Sequence, residues 1–159
     1  MIELSLGELA IKLGEIALKQ HEMEHHALKR AAKLVEKRSK DKLGEYQQET
    51  GMFAAWAELA VFTKEDRLRK GYTENDPGLR SGAMRDSIEH VVANGEAQVG
   101  SNDDHLVYFE LGTSKQPPRS VLGASAVEEL PKTLEMIGEA AELALVGKGV
   151  HQGKLLLND

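Results

Sequence analysis

Residues 88–101 read IEHVVANGEAQVGS. Two six-residue runs, IEHVVA and EAQVGS, flank the pair Asn94-Gly95. Both central residues of a type I′ turn need positive φ, which glycine accepts freely and asparagine tolerates. The stretch therefore predicts a β-hairpin, and it is the clearest strand signal in the chain. The long segments around it have helical periodicity instead. One hairpin among helices makes the expected fold class α+β.

Toward the N-terminus, Ser5 followed by Glu8 is a capping box, with Leu4 and Leu9 placed for a hydrophobic staple. Apolar residues then recur at Leu6, Leu9, Leu13, Ile16, Met23, Ala27, Ala31 and Leu34, a helical period interrupted only by Gln20. The stripe fades in EKRSKDK, and Gly44 is the expected stop. A helix over about residues 5–42 would be roughly 57 Å long at 1.5 Å per residue. A compact domain of this size is much shorter. Such a helix must overhang, break, or pack on another chain, which makes Leu9, Leu13 and Ile16 candidates for an interface between copies.

Between that helix and the hairpin, GMFAAWAELAVFT predicts a short helix carrying Phe53, Trp56, Leu59 and Ala60. TKEDRLRKGYTENDPG reads as a polar connector, with Asn75-Asp76-Pro77-Gly78 as turn chemistry. After the hairpin, His105–Leu111 predicts a short helix or turn ended by Gly112. The Pro-Pro step of TSKQPPR forces an extended segment, because the residue before each proline is pushed out of the helical region. A final helix is expected over about 121–146, with Pro131 tolerable at a first-turn position should it restart there. Residues 147–159 read as a flexible tail. The predicted architecture is a small antiparallel sheet including the hairpin, packed with the long N-terminal helix and the C-terminal helix. A single domain over 1–146 accounts for it, without internal repeats.

The composition narrows the function. The chain has 159 residues and a formal charge of −6, which argues against a general affinity for nucleic acid or anionic membrane. It has no cysteine, so disulfides and thiolate metal sites are excluded. No apolar run approaches the ~20 residues of a membrane span. The start, MIELSLGELA, lacks the basic flank of a signal peptide. These features describe a soluble protein made inside the cell.

One stretch does suggest catalysis. His21-Glu22-Met23-Glu24-His25 spells the H-E-x-x-H signature of zinc hydrolases, in which two histidines share a helix face and the glutamate acts as base. Each histidine, however, stands two residues from Met23, or roughly 200° around the axis at ~100° per residue. Met23 belongs to the apolar stripe, so His21 and His25 are expected on the solvent side. The extended signature fails as well, since Leu28 and Ala31 stand where Gly and His belong. Glu45 or Glu49 could serve as a distant third ligand only without a recognisable motif. The reading taken is a solvated helix face, with the zinc hydrolase kept as the alternative.

The other candidates are weaker. Lys29 to Lys42 holds seven cations against two acids, which suits a solvated helix end better than a DNA contact. His90 and His105 stand alone, and Ser81, Ser87 and Ser101 lack a histidine–acid arrangement. No catalytic residue, cofactor or metal is assigned.

Together, LRSGAMRDSI, QVGSND and VYFELGTSKQPPRSVLGAS resemble the tail-completion (minor tail component, virion morphogenesis) family of long-tailed bacteriophages. The matching positions are Leu79, Arg80, Gly82, Ser87, Ile88, Val99, Gly100, Ser101, Tyr108, Glu110, Gly112, Thr113, Pro117, Pro118, Arg119 and Leu122. Upstream, Trp56, Leu59 and Thr63 match a subgroup. The likeness covers about residues 44–130. It implies a structural virion protein without catalysis at the head–tail junction or tail end, assembled in the host cytoplasm. It further implies a homo-oligomeric ring, a hexamer by family analogy, that contacts neighbouring neck and tail proteins and lets DNA pass only as cargo. A non-virion tail assembly factor is the other alternative. Within the arm 112–119, Lys115, Pro117, Pro118 and Arg119 are the candidate contacts between subunits, against the alternative of a rigid internal loop.

Overall fold

The structure is a computed structural model that describes residues 5–145. Its elements are α1 (Leu6–Lys42), α2 (Val61–Arg69), α3 (Ala83–Asp86), β1 (Ile88–Ala93), β2 (Glu96–Ser101), α4 (Asp104–Leu111) and α5 (Leu122–Leu145). The fold is α+β: a long N-terminal helix, one two-stranded antiparallel sheet and a C-terminal helix. Packing divides the described chain into two units. One takes residues 5–31, Val92–Ala97 and 131–145; the other takes Ala32–Val91 and Gln98–Leu130.

Several elements follow from local chemistry. Glu8 N donates to Ser5 Oγ at 3.3 Å while Ser5 N donates to Glu8 Oε2 at 2.8 Å, the reciprocal bonds of a capping box. The expected staple partner Leu4 lies outside the described residues. Helix α1 runs without interruption to Lys42, and Gly44 follows at φ +110. The hairpin forms where expected: Asn94 and Gly95 have φ of 53 and 74, both positive as a type I′ turn requires. With two residues in the turn, Ala93 stands opposite Glu96. Helix α4 is capped at its start by Asp103, whose carboxylate accepts from His105 N, and at its end by Gly112. Helix α5 passes through Pro131 without a break. The residues read as a flexible tail, 147–159, lie outside the described ones.

The segment between α1 and the hairpin corrects the sequence reading. GMFAAWAELAVFT is not a helix over Phe53–Ala60; residues 54–60 have no regular structure. Thr50 and Phe53 pair in an isolated bridge, and Trp56 N donates to Gln47 O at 2.9 Å. The indole then enters the core beside Phe109, edge to face at 5.3 Å, and donates to Ser120 O. These non-local contacts outweigh an apolar spacing that fits a helix. The helix forms downstream instead, as α2, in the part read as a polar connector. Its buried Arg67 donates to Thr73 O and Leu79 O, which ties the helix to the loop that follows. A short helix is decided by such tertiary contacts more than by its own propensity.

Each unit has its own core. In the larger, Leu43, Trp56, Ile88, Leu106, Phe109 and Val121 pack together, with Tyr46, Met84, Val99 and Leu122 around them. In the other, Met23 and Ala27 of α1 meet Ala140 and Ala144 of α5, with Leu143 alongside. Three of the four buried residues there are alanines.

Candidate assembly surface

The arm between α4 and α5 is held at its base and open at its tip. At Gly112 the backbone turns at φ +75, and an added Cβ would stand 2.7 Å from Pro118 N and 2.8 Å from Gln116 O. Only glycine fits there. Thr113 and Gln116 then form an isolated antiparallel bridge, with Lys115 at its turn and Lys115 N donating to Thr113 Oγ1 at 3.2 Å. Lys115, Pro117 and Pro118 are exposed. The segment is thus a tight turn followed by an extended Pro-Pro step, rather than extended throughout.

Arg119 departs from the expectation that it reaches toward a partner. It is 3% exposed. Its Nε and one terminal nitrogen donate to Ala57 O at 3.0 and 2.7 Å, and the same terminal nitrogen donates to Glu58 O at 3.1 Å. The guanidinium lies over the Phe109 ring at 5.6 Å. Burial pushes its pKa below the ordinary value, opposed by Tyr46. A planar, multidentate donor on two carbonyls of its own subunit is an internal anchor. For Arg119 the rigid-loop alternative holds.

Glu110 anchors the other end of the arm. One oxygen accepts from Ser120 Oγ at 2.6 Å and Gly123 N at 3.0 Å; the other accepts from Val121 N at 2.6 Å and Leu122 N at 2.9 Å. These are donors at the start of α5, which lack helical partners, and a carboxylate suits the positive end of a helix. Ser120 Oγ in turn accepts from Ala124 N. Three positions of the sequence pattern thus share one task, since Glu110, Gly112 and Arg119 fix the arm while Lys115, Pro117 and Pro118 stay exposed. Sequence reasoning placed Glu110 in the pattern but gave it no role. The only cue was an acid shortly before a helix start.

On α1, Leu13 is exposed and Ile16 half-buried, while the Leu9 side chain lies outside the described ones. His21, Glu22 and His25 are exposed and Met23 is buried, the orientation expected from the apolar stripe. Among the described residues no group of three His, Asp or Glu is placed to hold a metal ion.

The basic end of α1 is less solvated than expected. Lys42 is 1% exposed and donates to Glu128 Oε1 at 2.6 Å. Arg38 Nε reaches Glu128 Oε2 at 2.5 Å, and Thr50 Oγ1 donates to Glu128 Oε1 at 3.0 Å. Burial pushes the Glu128 pKa up, but the bonds from Lys42, Arg38 and Thr50 outweigh it and hold the carboxyl below its ordinary value. Glu36 follows the same logic: burial raises its pKa, and Lys40 with His90 lowers it further than that. Lys37 pairs with Asp41. Lys37, Arg38, Lys40 and Lys42 all have carboxylate partners within the subunit. Elsewhere Asp66 gathers Arg69, Lys70 and Arg80, and these hydrogen bonds lower its pKa.

No helix among the described residues is long and apolar enough to cross a membrane. No family model, no curated protein and no solved structure matches this chain.

Proposed function

We propose that this chain is a structural protein of a long-tailed bacteriophage virion. In this reading it is a subunit of an oligomeric ring at the head–tail junction or tail end, which completes or joins the tail and lets DNA pass. The observation that carries the proposal is the ordered pattern over about residues 44–130 that resembles the tail-completion family. The use of those positions supports it, because Glu110, Gly112 and Arg119 brace an arm whose Lys115, Pro117 and Pro118 face outward. An arm braced in this way loses little entropy on docking, which suits contact with a neighbouring subunit or ring. Internal pairing of the basic residues at the end of α1 suits a conduit wall that does not grip its cargo. We assign the chain no enzymatic step.

The test is the protein's place in the particle. Mass spectrometry of purified virions of the encoding phage is expected to find the chain at a fixed multiple per particle, six by family analogy. Its absence from particles, with normal tails formed only when it is expressed, would make it an assembly factor instead. Absence together with a zinc-dependent hydrolytic activity lost in His21→Ala would sink the structural reading altogether.

A further inference from the structure

The first third of α1 carries two apolar rows, each a pair of residues seven positions apart. Leu6 and Leu13 form one; Ile11 and Leu18 form the other. Each member of the second row follows a member of the first by five residues, about 140° around the axis at about 100° per residue. The rows therefore face different directions, and both are wet. Leu6 is 86% exposed, Leu13 57%, Ile11 65% and Leu18 72%. Between the rows lie Gly7 and Gly14, and no described residue stands within 4 Å of where a Cβ on either would sit. Glycine inside a helix is unfavourable relative to alanine. Two of them one heptad apart leave a groove into which a side chain from outside can fit.

Groove and knobs stand at matching heights. Gly7 follows Leu6 by one residue and Gly14 follows Leu13 by one, an offset of about 1.5 Å along the axis. A parallel copy of this helix in the same register would bring its Leu6 and Leu13 to the level of the two glycines, with Leu13 bracketed by Ile11 and Leu18. Knob-into-hole packing needs this match of period and height. The remaining side of the helix carries Glu8, Lys12, Glu15 and Lys19, two Glu-to-Lys pairs four residues apart with no net charge. Identical copies do not repel there, and a strongly charged partner finds nothing to match.

We propose that residues 6–18 of α1 form the contact between neighbouring copies of this chain. The Leu6–Leu13 row of one copy packs into the Gly7–Gly14 groove beside Ile11 and Leu18 of the next. This rests on the ring reading above and names the surface that closes it. A pair of helices would cover only one row of each, whereas a head-to-tail contact repeated by rotation covers both rows on every copy and closes. Rotation about an axis along the helices also keeps them parallel and in register.

The chain has no cysteine, so introduced ones report alone. Ile11→Cys and Leu13→Cys are made separately in the full chain, mixed, and oxidised, with the size of the unmodified protein followed by light scattering. A disulfide needs Cα atoms within about 7 Å. The mixture is expected to give at least tenfold more disulfide dimer than either variant alone, and the double variant a ladder of linked copies. Equal yields from a single variant would mean a two-fold pairing and overturn the head-to-tail contact. An assembled protein whose mixture gives no disulfide overturns the interface while leaving the ring reading intact. With a third variant at Leu134, an exposed position of α5, linkage of either α1 cysteine only to Leu134→Cys would move the contact to α5 and also overturn it. A protein that stays monomeric at millimolar concentration without disulfide refutes the contact, while its presence in particles still decides the ring.

Discussion

The two ends of α1 invert the usual rule. Its first third is rich in leucine and isoleucine, and Leu6, Ile11, Leu13 and Leu18 are exposed. Its last turns are rich in charge, and there Lys42 is buried and Glu36 and Glu128 sit among cations. Both ends share one helix, so propensity does not separate them. What differs is the supply of partners. The basic end finds carboxylates, Thr50 and Gln47 within its own unit, so its charges can be buried. The apolar rows have no such cover among the described residues. A charged helix end can be the anchored one and an apolar end the open one.

Glu128→Ala should strike hardest. It leaves the buried Lys42 ammonium without its counter-charge, and breaking a buried pair by removing one partner costs roughly 3–5 kcal/mol. Arg38 and Thr50 lose a partner too. Urea unfolding is expected to show a loss of about 3 kcal/mol, and a loss under 1 kcal/mol would mean that water reaches Lys42. The same site sets an acid limb. Glu128 and Glu36 have folded pKa values below the ordinary 4.5, so their contribution is fully present above that pH and lost as pH falls through the folded values. Stability measured from pH 6 down to 3 should therefore fall, and fall less steeply in Glu128→Gln.

Arg119→Ala comes next. Three donor contacts to Ala57 O and Glu58 O disappear, and hydrogen bonds from a charged group contribute roughly 1.5–3 kcal/mol together with the exposure of their carbonyls. A loss of about 2 kcal/mol in the isolated subunit is expected, against less than about 0.5 kcal/mol for Lys115→Ala at the exposed tip. Equal losses for the two would deny that the arm is anchored at one end and free at the other. Gly95→Val ranks third, since a β-branched residue in a turn that needs positive φ is strained by about 1–3 kcal/mol. An unchanged melting temperature would remove the type I′ turn from the account.

The legible features are those whose chemistry is local. Ser5 and Glu8 stand three residues apart, and Asn94-Gly95 adjoin, so one short window contains the whole interaction. Gly112 likewise announced the end of α4. The features that were missed join distant residues. Glu128 meets Lys42 across 86 positions, and Trp56 meets Ser120 across 64. Nothing near Trp56 tells a helix from a strap that carries an indole into a core, so the apolar spacing of 51–60 points to a helix that does not form. The arm divides the same way: its Pro-Pro step was readable, but the direction of Arg119 depends on carbonyls about sixty residues earlier.

The smallest expected effect is the sharpest test of the comparison. Leu13→Ser removes an apolar side chain that is already more than half exposed, so the subunit has little burial to lose. Serine is a modestly weaker helix former than leucine, and surface changes of this kind stay within about 0.5 kcal/mol. Unfolding of the dilute monomer should hardly move. A loss of about 1.5–3 kcal/mol, the scale for a fully buried leucine, would mean that the first third of α1 already has a cover within its own subunit. In that case its apolar rows would be core, and the contrast with the basic end would disappear. A silent substitution in dilute monomer combined with weaker self-association at high concentration would place the missing partner in another copy.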